Sequence, residues 1–269
     1  MNKLGIRWTV GNVNRRGFEA LRLSVWGMWN LLGDSARYVI CLNQVEAAVA
    51  KSWTGVLPEP VEWMSVECGD IPAVIRSHLD GGMAEGVGWK FAPIRLFPES
   101  YELSLDNDCI LWKLPPAIRS WLESGDSSLC VVAEDVRPCF GQFAPVCRPE
   151  PRNSGIRGLS PGFDYLNALE KILRKHPTTL RSELDEQGLQ TAALQHFSNP
   201  LAVTSTEVTI CSPFWPHSPD LGECGAHFVG LNAHHLGWSY YDRPADEWMS
   251  EHWTKHRPAI CQRLGISPS

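Results

Sequence analysis

The chain has 269 residues, 43% hydrophobic and 20% charged, enough apolar material for the core of one large α/β domain. Its formal net charge of −6 offers no basic field for nucleic acid or anionic lipid, so neither is expected as a main partner. The opening MNKLGIRWTVGNVNRRG is polar where a signal peptide needs roughly 7–15 apolar residues. No stretch approaches the ~18 apolar residues of a membrane span, so a cytoplasmic protein without a transmembrane segment is expected.

In chain order, LGIRWTV alternates Ile6, Trp8 and Val10 and predicts a strand ending at Gly11-Asn12. Phe18, Leu21, Val25, Met28, Trp29 and Leu32 then follow helical spacing over 15–32, and Gly33-Asp34 stops that helix. ARYVICLN predicts a second strand, so the chain opens as a βαβ unit, which favours a parallel sheet. An irregular stretch with Pro58 and Pro60, a strand at VEWMSVE and a turn at Gly81-Gly82 come next. A short helix carrying Lys90 leads to the strand YELSL, and CILW follows at once. Pro115 and Pro116 open a helix through Trp121 and Leu122, since proline is tolerated in a first helical turn. SLCVVAED is another strand. A helix is expected over 163–175, and Ser182 caps a further one holding Asp185, Glu186 and Gln187. TEVTI, the turn-rich CSPFWPHSPDLGECG, AHFVGLN and a last helix over 246–256 complete the chain. No loose linker divides it.

The nine cysteines are scattered without a Cys-x-x-Cys pair and read as reduced, mostly buried thiols. Cys211, His217, Cys224 and His227 fall within one short window, but their spacing matches no compact zinc module.

The feature that carries chemistry is SLDNDCILW, in which Asp106 and Asp108 stand at i and i+2 where a buried strand breaks into a turn. Two carboxylates so placed suit one hard divalent cation, Mn²⁺ or Mg²⁺, which also binds diphosphate oxygens. An Asp-x-Asp match is common by chance and is often a solvated turn. The apolar residues on both sides favour a strand end, and the carboxyl ends of α/β strands are where ligands bind.

LSLDNDCIL followed much later by AHFVGLN resembles glycosyltransferases of the GT-A fold, among them the family 8 type that includes glycogenin-like and lipopolysaccharide galactosyltransferase-like enzymes. The resemblance implies an α/β fold with a central mixed, mostly parallel sheet flanked by helices. It implies a single domain over 1–269, with a nucleotide-sugar-binding half at 1–112 and an acceptor-side half at 113–269. It assigns His227 to the metal beside Asp106 and Asp108, and Lys90 to the donor phosphates; the other reading of Lys90 is a snorkelling surface lysine. NSGIRGLSPG is similar to the family strand that lines the sugar pocket, through Asn153 and Ser154, and is otherwise a plain turn. Asp185-Glu186-Gln187 looks like the family's pair beneath the transferred sugar, and is otherwise an acidic first helical turn. Val10, Gly11, Asn12, Asn107 and Gly230 complete the implied donor site.

GNVN replaces the family's threonine-rich strand end, which leaves the donor base open between a UDP-sugar and others. AHHLGW replaces its Lys-Pro-Trp, which leaves His234 and His235 as phosphate contacts or as exposed residues. The activity implied is transfer of a hexosyl group from a nucleotide sugar to a glycan, lipid or protein hydroxyl. Asp185 or Glu186 would act as base if the reaction inverts, whereas a retaining route needs none. Trp89, Trp112, Trp215 and Trp238 are candidates for stacking on sugar or base, with core packing as the default. A sugar-nucleotide pyrophosphorylase, and a non-catalytic carbohydrate-binding GT-A-like protein, are the rival readings.

Overall fold

The computed structural model describes residues 4–80, 86–232, 237 and 239–267. Gly81-Gly82, His234, His235 and Trp238 therefore lie outside the described residues. The opening βαβ unit forms as the pattern predicts: β1 (Leu4–Val10), α1 (Arg15–Leu32) and β2 (Ala36–Leu42). Asn14 caps α1 by accepting from the Gly17 N–H. β3 (Glu62–Ser65), β4 (Tyr101–Asp106), β6 (Leu129–Glu134), β7 (Arg152–Leu159) and β8 (Asn199–Val203) complete a seven-stranded sheet in the order β3-β2-β1-β4-β7-β6-β8. Only β7 runs against its neighbours; the other pairings are parallel.

Alternation along the strands divides the core into two layers. Ile6, Trp8, Val10, Ile40 and Leu42 pack with Phe18, Leu21, Val25 and Met28 of α1. Val39, Cys41 and Val132 pack on the opposite face with two helices, α5 (Tyr165–Lys175) and α6 (Glu183–Phe197). On that second face Arg7 of β1 is fully buried, 3.7 Å from Glu102 of β4. Arg7 donates to the carbonyls of Ala92 and Pro93, while Glu102 accepts from the Leu96 and Phe97 N–H groups. This buried pair clamps the segment that follows Lys90. A Cβ on Gly5 would meet the Phe97 ring at 2.0 Å, so β1 needs glycine there for the same segment to dock.

A second sheet, in the order β5-β10-β9, joins β5 (Cys109–Leu111), β10 (Gly225–His227) and β9 (Val208–Ile210). β5 follows β4 after a two-residue turn, so the small sheet grows directly out of the carboxyl edge of the large one.

Three elements differ from the sequence reading. Residues expected to be irregular form α2 (Ala47–Thr54), which buries Ala50 against the first core layer; eight residues are too few to show a clear period. β8 carries Pro200, which argues against a strand, but β8 is the sheet's edge and proline is tolerated there. The last helix, here α7 with α3 (Ala73–Arg76) and α4 (Pro116–Ser124) counted before α5, runs over Ala245–Leu264, past the expected end and through Pro258. Ile260, Cys261 and Leu264 are buried beyond the proline, and that packing offsets the backbone bond proline removes. No helix among the described residues is long and apolar enough to cross a membrane.

Candidate active site

Two local devices bring the first three residues together. β4 ends on Asp106, opposite Thr9 of β1, and the chain turns through Asn107 and Asp108 into β5. β10 then pairs antiparallel with β5 in a register that sets His227 opposite Cys109, and the Phe228 N–H donates to the Asp108 carbonyl at 2.9 Å. As a result, His227 Nε2 lies 3.3 Å from Asp108 Oδ1 and 3.6 Å from Asp106 Oδ2. The ligand atoms of Asp106, Asp108 and His227 all fall within 4.8 Å of one another. Two carboxylates and one imidazole converging this closely fit a small divalent cation such as Mn²⁺ or Mg²⁺.

Burial lowers the basicity of His227, but the hydrogen bond to Asp108 and the charges of both aspartates outweigh it, and the imidazole titrates above its ordinary value. Its Nδ1 is buried without a partner, packed against Gly155. A Cβ on Gly155 would come within 2.2 Å of His227 Cε1, so the ring's position depends on the missing side chain. Gly155 and Ser154 fall where the β6–β7 pairing jumps from Val132–Arg157 to Ala133–Asn153, an irregularity that turns this stretch of strand towards the site.

Lys90, on the 3₁₀ turn Val87–Phe91, lies 2.9 Å and 3.0 Å from the two oxygens of Asp106. It also donates to Ser154 Oγ at 3.1 Å and lies 3.7 Å from Glu186. Burial would lower its pKa, but Asp106 and Glu186 more than reverse that, so the ammonium stays charged. It is an integral member of the cluster, not a snorkelling lysine. Glu186 is 1% exposed and its Oε1 has no partner; burial pushes its carboxyl up to about 7, against the pull of Lys90.

The remaining expected residues divide between facing the cluster and bracing it. Ser182 caps α6 as expected. Gln187 accepts from the Ser154 N–H and donates to the Cys139 carbonyl, which ties α6 to β7. Asp185 accepts from the backbone of Gln142 and Arg181 and from the Gln142 side chain. Those bonds hold its carboxyl below the usual range despite burial. Asn153 accepts from the Gly155 N–H and donates to Asp135, 3.3 Å away. Val10 is buried, Asn12 is exposed, and Gly11 packs so tightly on Asn43 that a Cβ would meet its Oδ1 at 2.5 Å. Gly230 takes φ +89° in the turn after Phe228, a conformation that favours glycine.

Asn107 is buried and donates to the Gly17 carbonyl. Asn232, which the sequence reading left without a role, donates to both Asn107 and Asp108, at 3.1 Å and 3.2 Å. Its signal lay at the end of AHFVGLN. The window Cys211, His217, Cys224 and His227 does not assemble: His217 pairs with Ser212, and Cys224 lies elsewhere in the core. Trp89 is buried, Trp112 donates to the Glu223 carbonyl beneath Arg263, and Trp215 is 84% exposed.

No family model matches the chain, and no curated protein matches it in sequence. Solved structures do match. The galactosyltransferase LgtC in complex with donor and acceptor sugar analogues is 12% identical over 98% of this chain and 98% of that one, with a TM-score of 0.55. An active-site glutamine-to-glutamate mutant of LgtC is 11% identical over 93% and 95%, with the same TM-score. Mouse xyloside xylosyltransferase 1 in its apo form is 16% identical over 86% and 98%, again at 0.55. Likeness at such low identity speaks to architecture, and the architecture is the GT-A fold of these transferases.

Proposed function

We propose that this chain is a metal-dependent glycosyltransferase moving a hexosyl group from a nucleotide-diphosphate sugar, a UDP-sugar by preference, to an acceptor hydroxyl. The observation that carries this reading is the convergence of Asp106, Asp108, His227 and Lys90 at the carboxyl edge of the parallel strands. The structural likeness to enzymes that bind donor and acceptor sugars supports it. Asp106, Asp108 and His227 would hold Mn²⁺ or Mg²⁺, which when bound supplies Lewis acidity to the departing diphosphate. Lys90 adds fixed positive charge where negative charge grows as the C1–O bond breaks.

In this reading the chain acts as one unit, with residues 1–112 on the donor side and 113–269 on the acceptor side. Val10, Gly11 and Asn12 flank the base. Asn153, Ser154 and Gln187 line the sugar, and Gly230 lets the strand turn close beside the phosphates. Asn107 holds the aspartate turn against α1. Of the two acidic candidates, Glu186 suits proton transfer: it adjoins Lys90 and keeps a free oxygen. Asp185 is committed to the Gln142 turn and braces α6. The exposed Trp215 offers a stacking face to an acceptor sugar.

Thermal shift with UDP, GDP and their sugars, with and without Mn²⁺, tests the proposal on wild type and Asp108→Ala. Stabilisation by one nucleotide that needs Mn²⁺ and vanishes in the variant is expected. No nucleotide response under any metal condition would overturn it.

A further inference from the structure

Behind His227, on the far side of the small sheet, lies a second group of metal-ligating side chains that this mechanism does not use. The Cys211 N–H donates to the His227 carbonyl at 2.8 Å, so Cys211 continues the β9 pairing one residue past His227. His252 and His256, at i and i+4 on α7, present both rings on one helical face. Cys211 Sγ lies 3.3 Å from His252 Nε2, and ligand atoms of all three residues fall within 4.8 Å of one another. The three are 0%, 6% and 8% exposed, in an apolar pocket with Phe214, Phe228, Met249 and Trp253. We propose that Cys211, His252 and His256 form a site for a borderline transition metal, Zn²⁺ by donor chemistry, which fastens α7 to the strands carrying His227.

A Cys–His hydrogen bond alone does not account for the arrangement. His256 Nε2 is buried with no hydrogen-bond partner. An unpaired polar nitrogen in apolar surroundings carries a desolvation penalty, which ligation of a cation removes. The spacing also suits a metal: bonds of about 2.3 Å to sulfur and 2.05 Å to nitrogen at a tetrahedral angle separate the two atoms by about 3.5 Å. The donor set of one sulfur and two nitrogens selects zinc over the harder ions suited to Asp106 and Asp108. Three protein ligands leave one tetrahedral position to an exogenous ligand. On binding, the Cys211 thiol gives up its proton to solvent and the thiolate bonds the metal.

Cobalt(II) reports on the site directly, because a bound thiolate gives an ultraviolet charge-transfer absorption that carboxylates do not. Metal-free protein titrated with Co²⁺ is expected to develop this absorption, saturating at one equivalent and displaced by Zn²⁺. Cys211→Ser should abolish it, and His256→Gln should weaken Co²⁺ binding at least 10-fold. Asp108→Ala should leave it unchanged, which separates this site from the first. Absence of the absorption in the wild type, or its persistence in Cys211→Ser, would overturn the proposal.

Discussion

The two sides of β10 make opposite use of histidine. On one side His227 points Nε2 at two aspartates, with a lysine and a glutamate close by; Asp106 remains 25% accessible. On the other side His252 and His256 sit among aromatic rings, with the Cys211 thiol 3.3 Å from His252 Nε2, and all three are buried. The first group is charged, oxygen-rich and reachable, which suits a cation shared with a diphosphate. The second is neutral, sulfur- and nitrogen-bearing and dry, which suits a cation held for structure. One residue step separates them: the Cys211 N–H bonds the His227 carbonyl. What surrounds an imidazole, more than the imidazole itself, decides what it does.

The largest effect that should divide the two sides is Lys90→Met. It removes the ammonium from the charged group and touches nothing in the dry one. Loss of a preorganised charge at a developing anion costs about 10²–10³ in kcat. Transfer or donor hydrolysis should fall by that factor, while Mn²⁺ alone binds at least as well, since Asp106 loses its ammonium partner. An unchanged turnover would make Lys90 a structural ion pair.

Gly155→Ala is the next test. Its new methyl must displace the His227 ring, which an ideal Cβ would approach to 2.2 Å. Misplacing one ligand of a metal site costs about 10–100-fold in affinity. Calorimetry with Mn²⁺ and the nucleotide should show that loss, and the cobalt–thiolate absorption should persist. If both sites weaken together, the two sides of β10 are coupled more tightly than their chemistry suggests.

Much of the charged side was legible in the chain, because its signals are local or carried by a motif. The period-two strand Ile6–Val10, the 3.6-period helix and the Asp-x-Asp at a strand end are each contained in a few residues. The dry side was not. Cys211 lies nearer in sequence to His217 and Cys224 than to its actual neighbours on α7. The apolar residues of that helix, Trp248, Met249 and Trp253, account for its apolar face and leave His252 and His256 looking like polar exterior. Only the pairing of β9 with β10, and the docking of α7 on both, brings residues 41 positions apart into contact. Asn232 escaped for the same reason: its partners lie 124 and 125 positions earlier.

Asn232 supplies the smallest test of the comparison. Its amide donates to Asp108 and to Asn107, and Asn107 in turn donates to the Gly17 carbonyl of α1. The chain of amides sets the angle at which Asp108 meets His227 without contributing a ligand. A single hydrogen bond to a charged group is worth about 1.5–3 kcal/mol, and part of that returns as water enters the space. Asn232→Ala should therefore weaken Mn²⁺-dependent nucleotide binding by about 10-fold or less, with little change in melting temperature. Asn232→Asp should do worse than alanine, because a carboxylate facing Asp108 replaces an attraction with a repulsion. If alanine and aspartate behave alike, the amide only fills space, and the precision of the charged side comes from the β5–β10 register alone.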